Sequence, residues 1–225
     1  MTINTLVIEV TRRCNMACEH CMRGDAENKD IKYEHIDSLL SQCEGIGTVT
    51  FTGGEPSMNV PAIAYFLERA KALNISIDGF YIATNGMTIS EEFVLTCLKL
   101  YSYSQCKEVC AIHVSNDVFH ANEGNYNTEL LDGLSFFGRK FSEERYDYDR
   151  YRGLISEGRA KDNFGDTRMV SITEIEKKDD LNDTAVVLNC NGQIINGCDW
   201  SYESQDEYVL CDVDKFSEYY DSLPE

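Results

Sequence analysis

Cys14, Cys18 and Cys21 stand in the run Arg-Arg-Cys-Asn-Met-Ala-Cys-Glu-His-Cys-Met-Arg, directly after an apolar, β-branched segment. The spacing CxxxCxxC puts three thiols on one tight loop. Thiolates suit iron–sulfur clusters and zinc. A structural zinc or an ordinary cubane cluster takes four protein ligands. Three thiolates on a four-iron cluster leave one iron free for another ligand, which is a site arranged for chemistry. The other reading is a zinc knob whose fourth ligand is His20 or a distant cysteine.

A second run, Thr50-Phe51-Thr52-Gly53-Gly54-Glu55-Pro56, follows about thirty residues later. Its glycines permit a strained turn and close backbone approach to a ligand. Glu55 can accept a hydrogen bond from an ammonium group.

Together, and in this order, the two runs resemble the radical S-adenosylmethionine (radical SAM) superfamily over residues 5 to about 120. The resemblance implies that Cys14, Cys18 and Cys21 hold a [4Fe-4S] cluster whose open iron takes the amino and carboxylate groups of SAM. It implies that Gly53, Gly54, Glu55 and Pro56 meet the SAM amino group. His20 takes the place of an aromatic residue near the adenine. Thr84, Asn85, Ser115 and Asn116 would contact SAM or substrate, and Arg159 would pair with the SAM carboxylate. The activity implied is reductive cleavage of SAM to a 5′-deoxyadenosyl radical that takes hydrogen from a substrate. A flavodoxin- or ferredoxin-like protein would supply the electron.

The positioning elements are legible from periodicity. Residues 4–10, 47–52, 77–84 and 108–115 read as strands. Helices are expected over 33–43 (Ile36, Leu39, Leu40 and Cys43 inward), from Asn59 with Pro61 in its first turn, and over 90–102 (Val94, Cys97, Leu98 and Tyr101 inward). Alternating strands and helices with short links predict a parallel α/β sheet with right-handed crossovers. Ligands gather at the C-terminal ends of such strands, and each candidate run falls at one. A closed eight-stranded barrel needs about 250 residues. The expected fold is therefore α/β, a partial (β/α) barrel with a small C-terminal β-hairpin extension.

The second half is less periodic. Ser156-Glu157-Gly158-Arg159-Ala160-Lys161 resembles the Gly-Arg-Ala run that ends the barrel in peptide-modifying members. Val186-Val187-Leu188 and Ile194-Ile195 flank Asn191-Gly192, a strong hairpin signal. Cys190, Cys198 and Cys211 punctuate this unit, which resembles the start of a SPASM or twitch extension. They are candidates for an auxiliary cluster, with Cys106 or Cys110 as further thiolates, though a full extension carries more cysteines. The expected division is residues 1–165 for the barrel and 166–225 for the extension. Tyr146, Tyr148 and Tyr151 are candidates for a substrate groove or for an exposed face. Cys43 and Cys97 read as small buried hydrophobes.

With 20 Lys and Arg against 39 Asp and Glu, the chain carries a net charge of −19, which argues against a nucleic-acid polymer as partner. No apolar run approaches the ~18 residues of a membrane span. The N-terminus lacks a basic region and a cleavage-site pattern, so a cytoplasmic, reducing setting is expected. The substrate is expected to be a peptide or protein. The alternatives are activation of a glycyl-radical enzyme, a nucleotide or other small molecule, and, from another class, a non-catalytic zinc-binding module.

Overall fold

A computed structural model describes residues 1–116, 119–120, 127–141, 154–166 and 181–223; of the side chains at 116, 139–141 and 181–184 nothing is said. Tyr146, Tyr148 and Tyr151 lie outside the described residues, as does the side chain of Asn116.

Eight described strands form one sheet in the order β5-β4-β3-β2-β1-β6-β7-β8. They are β1 (Thr2–Thr11), β2 (Gly45–Gly53), β3 (Ser76–Thr84), β4 (Ala111–Asn116), β5 (Phe137–Phe141), β6 (Leu181–Leu188), β7 (Gln193–Ile195) and β8 (Val209–Asp212). All neighbours from β5 through β1 to β6 run parallel. β6, β7 and β8 form an antiparallel meander. The sheet is open, so the expected partial barrel and hairpin are both present.

β1 is central because it is apolar on both faces. Leu6, Ile8 and Val10 join the large core under the helices. Val7 faces the other way, into a smaller cluster with Val187, Ile195 and Trp200. Two-sided burial is the mark of a parallel strand with neighbours on both edges.

Helices α1 (Tyr33–Leu40), α2 (Val60–Ala72) and α3 (Glu91–Tyr103) cover the large core. α1 buries Ile36, Leu39 and Leu40 as expected, while Cys43 lies past its end and is half-buried. Ser90 caps α3 by accepting from the Phe93 N–H at 3.1 Å. The face of α3 departs from expectation. Phe93, Thr96, Cys97 and Leu100 are inward, and Leu98 is exposed. Phe93 at 0% exposure sets the orientation, and its ring fills more core than Val94 could.

Asn59 does stand before α2, but its side chain makes no cap. Its Nδ2 donates instead to the Val10 carbonyl at 2.7 Å, tying the helix start to β1. β4 starts at Ala111, later than expected, because Lys107–Val109 form a single 3-10 turn. The hairpin turn at Asn191-Gly192 is as expected: Val187 faces Ile195 and Leu188 faces Ile194. Gly192 has φ +80°, and a Cβ there would meet the His35 ring at 2.3 Å. Two short helices complete the described fold, α4 (Gly158–Phe164) and α5 (Phe216–Ser222). Among the described residues no helix is long and apolar enough to cross a membrane.

Candidate active site

The loops at the C-terminal ends of β1 to β4 surround a cavity of about 350 Å³. Cys14, Cys18 and Cys21 line it together with His20, Gly53, Gly54, Glu55, Pro56, Thr84, Asn85 and Ser115. Four runs distant in sequence therefore meet at one rim, as the parallel topology requires. Arg159 is a candidate that does not line the cavity.

The cysteine loop is held from three sides. From β2, the Gly54 N–H donates to the Thr11 carbonyl and the Glu55 N–H to the Arg13 carbonyl, both at 2.8 Å. The close approach that the glycines permit is thus to the backbone of the chain itself. A Cβ on Gly53 would lie 1.9 Å from the Thr11 carbonyl oxygen, and one on Gly54 2.3 Å from that of Arg13. From β3, Asn85 Nδ2 donates to Asn15 Oδ1 at 2.8 Å. From α4, Arg159 Nε donates to the Cys18 carbonyl at 3.0 Å, Asn163 Nδ2 to that of Glu19 at 3.0 Å and the Ala160 N–H to that of Cys21 at 3.4 Å.

Arg159 also pairs with Asp25 at 2.9 Å. The Gly-Arg-Ala run thus braces the cysteine loop, and the Arg159 guanidinium is committed to that loop. Gly158 (φ +50°) packs so tightly that a Cβ would lie 2.4 Å from the Gly24 nitrogen. Gly158→Ala should therefore push α4 off the loop, costing about 2–4 kcal/mol in chemical denaturation. An unchanged melt would refute the bracing role.

Glu55 is fully buried and clamps the β2 and β3 ends together. Its Oε1 accepts from Ser57 N (3.0 Å), Ser57 Oγ (2.6 Å) and Thr84 Oγ1 (2.6 Å), and its Oε2 from Asn85 N (2.7 Å). Burial raises its pKa, and those four donors oppose the rise without cancelling it. A carboxylate accepts about four hydrogen bonds per pair of oxygens with room to spare on Oε2. A cation in the cavity would favour the charged form.

Burial likewise raises the pKa of the Cys14 thiol; a Met16 N–H opposes this, while Glu55, Cys21 and Cys18 reinforce it. The three thiols line one cavity together, and thiolates are the donor type that suits an iron–sulfur core. All ten cysteines are free. No three His, Cys, Asp or Glu side chains converge on a single-ion position among the described residues.

Sequence reasoning did not single out the remaining lining: Met16, Met22 and Arg23 within the cysteine run, and His120, Leu154 and Ile155 from later segments. His20 stacks on Phe119 with ring centres 4.4 Å apart and meets His120 edge-on at 4.9 Å. No local signal marks Phe119 or His120, since they follow β4 in an aperiodic segment.

The C-terminal cysteines occupy three separate settings. Cys190 is buried, and its thiol donates to the Glu9 carbonyl at 3.0 Å. Cys198 packs against the small cluster around Trp200 and donates to Asp199 at 3.3 Å. Cys211 packs against the large core on the other face of the sheet. Cys106 donates to Glu108 at 3.3 Å, and Cys110 is buried in the core. Burial lifts the Cys198 and Cys211 pKa values to about 11.

Residues 8–105 match the model of the Radical SAM superfamily. The chain carries a radical SAM domain. The chain is similar to the GTP 3′,8-cyclase of Chlorobaculum tepidum, 32% identical over 95 residues, which are 40% of this chain and 28% of that protein. It is also similar to the Fe-coproporphyrin III synthase of Methanosarcina barkeri, 30% identical over 137 residues, or 56% of this chain and 32% of that protein. The aligned part thus spans less than a third of either relative. Among solved structures, Streptococcus suis SuiB bound to precursor peptide SuiA aligns with 98% of this chain and 65% of its own, at 14% identity and a TM-score of 0.48.

Proposed function

We propose that the radical SAM domain of this chain binds one [4Fe-4S] cluster through Cys14, Cys18 and Cys21 and uses it with SAM on a small-molecule substrate. The observation that carries this reading is the shared cavity, where the three thiols face Glu55 and the ends of β3 and β4. Loaded, such a centre cleaves SAM reductively to a 5′-deoxyadenosyl radical that abstracts hydrogen from a substrate C–H bond.

The chain's own residues supply binding, orientation and shielding. Glu55 offers its remaining Oε2 acceptor to the SAM ammonium. Ser115, with His20 and its stacked Phe119, forms the polar and aromatic wall for the nucleoside. Thr84 and Asn85 act one step back, holding Glu55 and Asn15 in place. Met16, Met22, Leu154 and Ile155 give the cavity an apolar lining that excludes water.

A small-molecule substrate is supported by two relatives whose names specify GTP and coproporphyrin, and by the modest cavity volume. The peptide reading rested on the Gly-Arg-Ala run and the extension-like hairpin. Both have structural duties here, in bracing the cysteine loop and extending the sheet. An acidic chain would dock an electron donor through a complementary basic face.

The test is iron and acid-labile sulfide per chain after anaerobic reconstitution, followed by 5′-deoxyadenosine formation from SAM under dithionite. About four irons are expected, and none in the Cys14→Ala/Cys18→Ala/Cys21→Ala variant. About eight, with four surviving the triple substitution, would establish a second cluster. Zinc without iron in both proteins would overturn the reading.

A further inference from the structure

The cavity has two unlike ends. One is built from Gly53–Pro56 and the ends of β3 and β4. The other carries Arg23, which is tied to the segment after β7: its Nη1 donates to the Trp200 carbonyl and its own carbonyl accepts from the Tyr202 N–H. Arg23 is only 7% exposed, yet it lines the cavity. Among the described residues it is the one Lys or Arg that does so.

A guanidinium carries five N–H donors. For Arg23 one is taken, Nη1 donating to the Trp200 carbonyl at 2.8 Å. No carboxylate stands within ion-pair distance of it among the described residues. Its nearest buried negative charge, Glu9, is already held by Arg12 at 2.8 Å, by Gln205 Nε2 at 2.8 Å and by the Cys190 N–H at 3.2 Å. None of the Arg23 nitrogens is sealed from the cavity without a partner, unlike the buried hydroxyl of Tyr202. Arg23 shares the Glu9 charge at longer range, helping to hold that carboxyl ionised, but its remaining N–H donors meet no protein acceptor among the described residues and can take an anion that enters the cavity.

We propose that Arg23 anchors an anionic group of the substrate, a carboxylate or a phosphate, in the cavity it shares with the cysteine loop. The planar fork of donors suits either group in a two-point contact. Arg23 lines the same cavity as Cys21 and the Gly53–Pro56 turn, so a molecule held by it shares that space with the cysteine loop. This assignment rests on the reading above for what the cavity does, but the anion site can be tested without turnover.

The experiment uses the reconstituted, SAM-bound protein with inorganic phosphate and malonate as probes. Arg23 modification by phenylglyoxal is followed by peptide mass spectrometry, and binding by the fluorescence of Trp200, the sole tryptophan. Phosphate or malonate should protect Arg23 saturably, and the better protector identifies the group. Arg23→Met should weaken the fluorescence titration by about tenfold or more, the loss of a charge-assisted contact. Arg23→Lys, which keeps the charge, should fall between, with SAM affinity unchanged in both.

No protection in the wild type, or equal titration of Arg23→Met, would overturn the anion site. A parallel fall in SAM affinity would assign Arg23 to the cofactor and overturn the substrate role. A protein that takes up no iron would overturn the cluster reading instead, and protection of Arg23 would still be read.

Discussion

Replacing Arg12 with methionine should cost the protein about 3–5 kcal/mol of unfolding free energy, the penalty for stranding a buried charge. The charge stranded is Glu9, 2% exposed on the inner face of β1. Arg12 Nε donates to Glu9 Oε1 at 2.8 Å, and Arg12 Nη2 donates to Gln205 Oε1 at 2.6 Å. Gln205 returns a bond to Glu9 Oε2, and Arg12 also reaches Glu27 at 3.0 Å. The Tyr202 ring lies 4.5 Å from the Arg12 guanidinium carbon, adding a cation–π contact. Three segments, β1, the cysteine loop and the meander, are joined by this one network. Urea denaturation of Arg12→Met at pH 7 measures the loss, and a change under 1 kcal/mol would show the network to be incidental.

The same network fixes a pH dependence. Burial alone would raise the Glu9 pKa, but Arg23 and Arg12 together with hydrogen bonds from Arg12 and Gln205 hold it below the ordinary 4.5. A carboxyl with a depressed folded-state pKa contributes stability that is present above the unfolded value and lost as pH falls through the folded one. The stability difference between wild type and Glu9→Gln should therefore be greatest near neutrality and shrink below about pH 4.5. A difference that stays constant from pH 7 to pH 3 would refute it.

Gly53→Ala should be at least as damaging. Gly53 has φ +144°, which L side chains rarely adopt, and its Cβ would fall 1.9 Å from a backbone oxygen of β1. Backbone cannot swing aside as a flexible side chain does. The turn must lift away, which breaks the paired bonds from Gly54 to Thr11 and from Glu55 to Arg13. About 4 kcal/mol or more is expected, a fall of roughly 8–16 °C in melting temperature for a chain of this size. Because Glu55 rides on this turn, SAM affinity should fall with stability. A Gly53→Ala protein that melts and binds SAM as wild type does would mean the turn has room that the geometry denies.

Much of the frame was readable because its signals are local. β1 to β3 follow from short apolar, β-branched runs and the three long helices from apolar residues three or four positions apart, both of them signals between near neighbours in the chain. On α3 the expected Val94, Cys97 and Tyr101 do meet the core, but Phe93, Thr96 and Leu100 are buried as well and Leu98 is exposed, because only the core decides which side chain of a broad apolar stripe fills it. The triad and Gly53–Pro56 were legible for a related reason. Ligand spacing on one loop, and glycines at a turn, are properties of a few consecutive residues.

What only the tertiary structure decided is non-local. The chain returns at β6 to lie parallel to β1, and nothing within 181–188 names that partner. That return brings Gln205 to Glu9 and Trp200 to Arg23, contacts separated by 196 and 177 positions. Arg159 read as a cofactor ligand because an arginine has one appearance in sequence and several possible partners in space; here the Cys18 carbonyl and Asp25 hold it. Sequence alone determined which residues could carry cluster chemistry and the sheet that would carry them. The folded chain decided which charges are paired, which one faces the cavity, and that its glycines bring backbone to backbone, because pairing and close packing depend on distances between segments that no local pattern encodes.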